Sequence, residues 1–158
     1  MTSVRVRLFR PSDGEALAEL HRRAILATSD AFYTPDQKRS WAHGLLPDGY
    51  DGQAGVIEVA VDQEDKPLGF CHTLGDEILG LYVHPDWQRR GIGATLAARA
   101  EAIIAAAGHA VSRVKATLSA QPFYEQNGYR AIATLEHRTR GGLPIACVAL
   151  EKSIVTSR

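Results

Sequence analysis

Glu77 to Ala107, EILGLYVHPDWQRRGIGATLAARAEAIIAAA, reads as strand, tight loop and helix, and the other segments arrange themselves around it. Ile78, Leu79, Leu81, Tyr82 and Val83 form a short apolar run of β-favouring residues. His84-Pro85-Asp86 ends that run, because proline has no amide proton and pushes the residue before it towards extended backbone. After Gln88-Arg89-Arg90-Gly91-Ile92-Gly93 comes an alanine-rich segment, a strong helix former, which Gly108 closes in the left-handed position. A strand feeding a glycine-containing turn at a helix N-terminus suits an anion. The first helical amides have no intrahelical acceptors, and the helix dipole places positive charge there. Gly91 and Gly93 would let a phosphate approach the backbone, and Arg89 and Arg90 add charge; the same glycines are compatible with a plain tight turn. Two phosphate motifs are excluded. A P-loop needs Lys-Ser/Thr after its last glycine, where this chain has Ala94-Thr95. The dinucleotide fingerprint needs a small residue three after Gly93, where Leu96 stands.

Gln88-Arg89-Arg90-Gly91-Ile92-Gly93, following a strand that ends Leu81-Tyr82-Val83, resembles the acetyl-CoA signature of the GNAT superfamily of N-acetyltransferases. That signature runs Gln/Arg-x-x-Gly-x-Gly/Ala. Downstream, Pro122-Phe123-Tyr124-Glu125-Gln126-Asn127-Gly128-Tyr129 resembles the family's second phrase, a short helix ending in Phe-Tyr-Glu-x-x-Gly-Phe/Tyr. Two motifs in the right order are far more specific than either alone, and the resemblance spans nearly the whole chain. It implies acetyl-CoA as cosubstrate, with the pyrophosphate held by the loop Gln88 to Ala94 and the pantetheine arm by the backbone of Leu81, Tyr82 and Val83.

Composition sets the outer limits. A chain of 158 residues is expected to form one domain, 1–158, with room for a proper core. Hydrophobic residues make up 45% and charged residues 23%, as in ordinary globular proteins. Lys plus Arg equals Asp plus Glu at 18 each, so no global field points to nucleic acid or an anionic membrane. No apolar run has membrane-spanning length and the opening residues alternate like a strand rather than a signal peptide, so a cytoplasmic protein is expected. Cys71 and Cys147 stand singly in apolar strand-like runs and read as small core residues. No Cys/His spacing suggests a metal site.

Taken in order, Val4 to Phe9 reads as a first strand and Gly14 to about Thr28 as an amphipathic helix. Thr34-Pro35-Asp36-Gln37 starts a second helix to about His43, and 46–55 is a loop. Val56–Val61 and Leu68–Leu74 form a hairpin across Gln63-Glu64-Asp65-Lys66. Beyond the long helix come a strand at 110–117, a short helix capped by Ser119, and strands at 129–137 and 143–152. The result is mixed α/β, one twisted sheet with helices on both faces. The resemblance adds a GNAT fold: a mostly antiparallel sheet of about seven strands, splayed between its fourth and fifth strands (77–83 and 111–117) to admit coenzyme A.

Acetylating an amine requires a proton to leave the ammonium, a donor for the oxyanion and an acid for the departing thiolate. Tyr124 matches the family's tyrosine near the coenzyme A sulfur and is the candidate acid; the plain alternative is a packed aromatic, like Phe123 and Tyr129. Glu77 is the candidate base. It lies eleven residues before Gln88, where some family members carry a catalytic glutamate, and simple alternation gives it a face with Leu79, Leu81 and Val83. Apolar neighbours would raise its pKa towards neutrality, whereas a solvated strand-end carboxylate would have no such role. His72 and His84 are weaker options, and water can also serve. Thr117 stands where the family often has an asparagine on the pantetheine arm, so a hydroxyl replaces an amide. The acceptor pocket is expected from the first two helices, their connection and the loop near 138–142. Phe32, Tyr33 and Trp41 either wall it or staple the second helix to the sheet, and Asp30, Asp36 and Asp76 are candidates to attract a cationic amine. Three readings follow: transfer of acetyl to a primary amine of a small molecule, the same transfer to a protein lysine or N-terminus, or a non-catalytic acyl-CoA sensor. Family members often pair through sheet edges or helices, and no residue here decides for or against a homodimer.

Overall fold

Apolar spacing, caps and turn residues place each element within a residue or two of where the chain forms it. The structure, a computed structural model, describes residues 3–155. In order it contains β1 (Arg5–Leu8), α1 (Gly14–Leu26), α2 (Pro35–Ala42), β2 (Val56–Val61), β3 (Pro67–Leu74), β4 (Glu77–Val83), α3 (Ile92–Ala106), β5 (Val111–Thr117), α4 (Gln121–Gln126), β6 (Arg130–Arg138) and β7 (Pro144–Ser153). Thr34 caps α2 as its sequence predicts: its hydroxyl accepts from the Gln37 amide while the Gln37 side chain accepts from the Thr34 amide.

The strands make one seven-stranded sheet in the order β1-β2-β3-β4-β5-β7-β6. Every pairing is antiparallel except β4 with β5. That parallel pair is short, joining only Glu77 to Arg113 and Ile78 to Val114, after which the two strands part. The expected splay is therefore present, and it opens towards Val83 and Thr117.

Each face of the sheet buries one set of side chains. On one side α3 packs Ile92, Leu96, Ala100 and Ile104 against Ile78, Val114 and Leu150. On the other, α1 sets Leu17 and Leu20 on Val59, Val61 and Phe70, and Ile25 joins Tyr33, Trp41, Ile145 and Cys147. Leu17, Leu96, Ile104 and Val59 are wholly buried, each stabilising the fold by roughly 1.5–3 kcal/mol. Cys71 and Cys147 are both buried and free.

Two sequence expectations are corrected. The first is the simple alternation along β4. Thr73 faces Ile78 but His72 faces Gly80, so β4 carries an extra residue, Leu79, and bulges. Ile78, Leu81 and Val83 consequently pack on the α3 side, while Tyr82 packs on the α1–α2 side. Glu77, next to Ile78, thus does not share a face with Leu81 and Val83. The second concerns Ser119, which does not cap α4. That helix begins at Gln121 with Pro122 in its first turn, its N-cap Ala120 makes no side-chain bond, and the Ser119 hydroxyl pairs instead with Thr117 Oγ1 at 3.0 Å.

Candidate active site

Where β4 and β5 separate, a cleft of about 980 Å³ extends from the loop before α3 to the connection between α1 and α2. Its two ends are built differently.

At the first end the working parts are backbone. Arg89 and Gly91 adopt left-handed φ values of 62° and 81°, which turn the chain sharply into α3. The first helical bond runs from the Thr95 amide to the Gly91 carbonyl at 3.0 Å. The amides of Ile92, Gly93 and Ala94 therefore precede the intrahelical ladder, at the positive end of the helix dipole. Gln88, Arg89, Gly91, Ile92, Gly93 and Ala94 all line the cleft. Arg90 does not; its guanidinium stacks over the Trp87 ring, 4.7 Å from the centroid. Gly93 needs to be glycine for a reason its sequence did not reveal: an added Cβ would sit 3.0 Å from Phe123 Cε1. Gly91 would meet nothing, and only its φ demands glycine.

Beyond the bulge, the β5-facing edge of β4 is unpaired and borders the cleft. Peptide groups along a strand point alternately to its two edges. The His84 amide donates to Leu68 O at 2.8 Å on the β3 side, which places the peptide groups of Tyr82 there too. Those of Leu81 and Val83 are left facing the cleft. Of the three residues read as a backbone contact, Leu81 and Val83 turn their peptide groups to the cleft and Tyr82 turns its own to β3.

Tyr124 lines the cleft and is 4% exposed. Edge-to-face contacts with Phe123 (centroids 5.0 Å) and Tyr129 (5.3 Å) fix its ring. Its hydroxyl has no hydrogen-bond partner among the described residues, although no fully buried side-chain polar atom lacks one. Burial holds the phenol well above its ordinary pKa, so at neutral pH it is a proton donor. Tyr129, by contrast, is anchored by Ser112 at 2.8 Å and by Glu101 at 3.1 Å. Thr117 and Ser119 line the cleft with their hydroxyls paired.

Glu77 is not among the cleft-lining residues. It sits at the closed end of the sheet, opposite Arg113, with Lys115 Nζ 4.0 Å from its carboxylate. The apolar surroundings expected for a base are replaced by a cation. His72 bonds to the Ala54 carbonyl at 2.7 Å and His84 lies 3.1 Å from Arg23 Nη1; neither lines the cleft.

At the second end the parts are side chains: Ala24, Ala27, Thr28, Ser29, Phe32, Trp41 and Tyr82. Long-range bonds hold them. Tyr33 is 2% exposed; its hydroxyl donates to Ala146 O at 2.6 Å and accepts from the Leu118 amide at 2.8 Å. Phe32 and Trp41 line the cleft, and Trp41 also packs with Tyr33, Ile145 and Cys147 to hold α2 on the sheet. Lys38 turns inward to the carbonyls of Leu26 and Thr28 and to Asp30, holding the α1–α2 connection. The β6–β7 turn is bolted to Ser40, whose hydroxyl meets Thr139 Oγ1 at 2.6 Å and whose carbonyl accepts from the Gly141 amide at 2.9 Å. Beneath Tyr82, at 4.0 Å between centroids, lies the buried ring of His21, bonded to the Tyr50 hydroxyl at 3.0 Å. Burial, with the charge of Arg140, pushes its pKa down to about 3, so it is neutral.

The three aspartates read as attractors for a cationic amine are all occupied: Asp30 by Lys38 at 2.6 Å, Asp36 by Arg39, and Asp76 by Arg113 at 3.1 Å. No acidic residue lines the cleft among the described residues. His21, Ser40, Lys38 and Thr139 were not singled out by sequence, because each acts through a partner remote in the chain. No group of residues suited to a metal ion is found among the described residues, and no helix there is long and apolar enough to cross a membrane.

Residues 53–131 match the family described as acetyltransferase (GNAT) domain. The chain is 25% identical over 147 residues to the uncharacterized N-acetyltransferase YafP of Escherichia coli K12, covering 89% of this chain and 91% of that one. It is 27% identical over 133 residues to the peptidyl-lysine N-acetyltransferase YjaB of Salmonella typhimurium, covering 84% and 88%. Among solved structures, a GCN5-related N-acetyltransferase from Rhodopseudomonas palustris superposes with a TM-score of 0.87 at 27% identity, over 97% of both chains. The PaiA N-acetyltransferase of Thermoplasma acidophilum, solved with coenzyme A, shares the fold at a TM-score of 0.73 and 22% identity, covering 96% of this chain and 99% of that one.

Proposed function

The chain belongs to the acetyltransferase (GNAT) domain family, whose enzymes move acetyl from acetyl-CoA to an amine, and we propose that its acceptor is a primary amine of a small molecule that attacks in a ternary complex. Acetyl-CoA supplies the thioester: a C–N bond forms at its acyl carbon and the C–S bond breaks. The free amides of Ile92, Gly93 and Ala94, with Arg89 and Gln88 beside them, are suited to its pyrophosphate. The open peptide edge at Leu81 and Val83 is suited to the pantetheine arm and to the developing oxyanion. Thr117 has its hydroxyl engaged with Ser119 and contributes to that wall secondarily.

Tyr124 is the acid in this reading. A phenol held protonated by burial, with a hydroxyl uncommitted to any neighbour, can give its proton to the leaving thiolate. Glu77 is set aside as the base on its position outside the cleft; the ammonium proton leaves through water in the cleft.

The observation that carries the small acceptor is the bolted β6–β7 turn. A peptide substrate needs an open channel across the second end of the cleft, and the Ser40–Thr139 tie draws that turn onto α2 beside Trp41. A second reading, transfer to a protein lysine, is favoured by the 27% identity to a peptidyl-lysine N-acetyltransferase. Thiol release from acetyl-CoA separates the two. A panel of small primary amines should give at least tenfold higher kcat/KM than lysine-containing peptides. Faster turnover of the peptides would reverse the assignment.

A further inference from the structure

The Tyr124 hydroxyl has no hydrogen-bond partner among the described residues, so its place in the cleft depends on what holds the ring. Two aromatic neighbours meet that ring edge to face, Phe123 at 5.0 Å and Tyr129 at 5.3 Å between centroids. Phe123 belongs to the cleft lining, whereas Tyr129 is buried and is not part of it. Three elements fasten Tyr129. Glu101 on α3 is a carboxylate and accepts, so the Tyr129 hydroxyl donates to its Oε2 at 3.1 Å. With its proton engaged there, the Tyr129 oxygen accepts from Ser112 Oγ on β5 at 2.8 Å. Lys152 on β7 stands opposite Ser112, donates to Glu101 Oε1 at 2.8 Å and lies 5.7 Å from the Tyr129 ring centroid. Ser112 and Tyr129 are both buried, so water does not compete for their bond. Gly128 then turns the chain at φ 93°, and the Tyr129 amide donates to the Tyr124 carbonyl at 3.0 Å.

None of Glu101, Ser112, Tyr129 and Lys152 lines the cleft. We propose that Tyr129 is a positioning residue for the transfer: the chain Ser112–Tyr129–Glu101–Lys152 fixes its ring, and that ring fixes where the Tyr124 hydroxyl stands. This rests on the reading of Tyr124 as the acid. A phenylalanine at 129 would fill the same space, but an edge-to-face contact alone leaves a ring free to tilt. Two hydroxyl bonds to separate elements, α3 and β5, remove that freedom from Tyr129 and so from the edge against which Tyr124 rests. Giving a proton to the departing thiolate requires the phenol to be within hydrogen-bond reach and aligned with the sulfur. A small tilt of Tyr124 therefore slows the reaction without weakening the binding of acetyl-CoA, whose suited contacts lie on the α3 loop and on β4.

The test is a double-mutant cycle read as thiol release from acetyl-CoA, with phenethylamine, a lysine-containing peptide and water alone as acceptors, since the same thiolate leaves in each. Tyr129→Phe keeps the ring and removes both bonds; kcat should fall about tenfold while acetyl-CoA affinity by calorimetry stays within about twofold. Glu101→Gln still offers an acceptor to the Tyr129 hydroxyl and should hold kcat within about threefold of wild type, whereas Glu101→Ala should lose it as Tyr129→Phe does. Added to Tyr124→Phe, the Tyr129→Phe change should alter kcat by less than about twofold, because the group being positioned is gone. An equal loss in both backgrounds, a parallel loss of acetyl-CoA affinity, or a wild-type rate in Tyr129→Phe would overturn the proposal. If Tyr129→Phe does not fold, Glu101→Ala carries the same cycle to the same outcomes. The two levels are separable. An unchanged rate in Tyr124→Phe alone defeats the acid reading itself, whereas a loss there with none in Tyr129→Phe defeats only the positioning.

Discussion

The two ends of the cleft reach function by opposite routes. The end at α3 uses peptide groups whose direction is set by left-handed Arg89 and Gly91, by the start of a helix and by an unpaired strand edge. The end at α1 and α2 uses side chains whose places are set by ties across the chain, such as Ser40 to Thr139 and Tyr33 to Leu118 and Ala146. Local backbone geometry makes a site for a constant ligand, one insensitive to most side-chain changes. Remote side-chain ties make a site that single substitutions can reshape.

The contrast can be broken at named positions. Tyr124→Phe should have the largest effect, lowering kcat by about 100-fold, within the range of general acid catalysis. Acetyl-CoA affinity by calorimetry should stay within twofold; parallel loss of both would make Tyr124 a packing residue. Gly91→Val comes next. A β-branched residue at φ 81° is strained although no neighbour crowds it, so the loop must change shape and acetyl-CoA should bind at least tenfold more weakly. Intact binding would remove the loop from the site.

Tyr33→Phe acts on the other end. It leaves the Leu118 amide and the Ala146 carbonyl without their partner, at a cost of about 1–3 kcal/mol in denaturant unfolding. KM for the amine should rise while acetyl-CoA affinity changes little; the reverse pattern would mean the two ends are not separable. His21 acts on stability alone, and its effect shows only as a dependence on pH. Above pH 6.5 it is neutral whether folded or unfolded, so its burial costs nothing there. Below that, the unfolded chain takes up a proton that the folded chain refuses until about pH 3. Stability therefore falls as pH drops through that window, by up to ~1.4 kcal/mol per pH unit from this group. His21→Phe should flatten the slope of urea midpoints between pH 6.5 and 4; an unchanged slope would show that His21 is not held neutral.

The same division explains what could be read from the sequence. Gln88 to Gly93, the Thr34–Gln37 capping box and the strand boundaries were legible because neighbours a few residues apart decide them. The bulge at Leu79 was not, since it exists only relative to β3, and it carried Glu77 off the face that alternation gave it. Gly93 was legible as a glycine but not for its reason, which is the Phe123 ring thirty residues on. Asp30, Asp36 and Asp76 looked available because their basic partners become neighbours only in the fold or along a helix turn. The end at α1 and α2 was least legible of all: the Ser40–Thr139 tie joins residues 99 apart.

The cleft as an acetyl-CoA site is tested most directly by thermal melting with acetyl-CoA, coenzyme A, ATP and NAD in parallel. At a hundred times its dissociation constant a true ligand stabilises the folded chain by ~2.7 kcal/mol. The account predicts a clear rise in Tm with acetyl-CoA and coenzyme A and none with NAD or ATP. A rise with ATP or NAD and none with acetyl-CoA would contradict it.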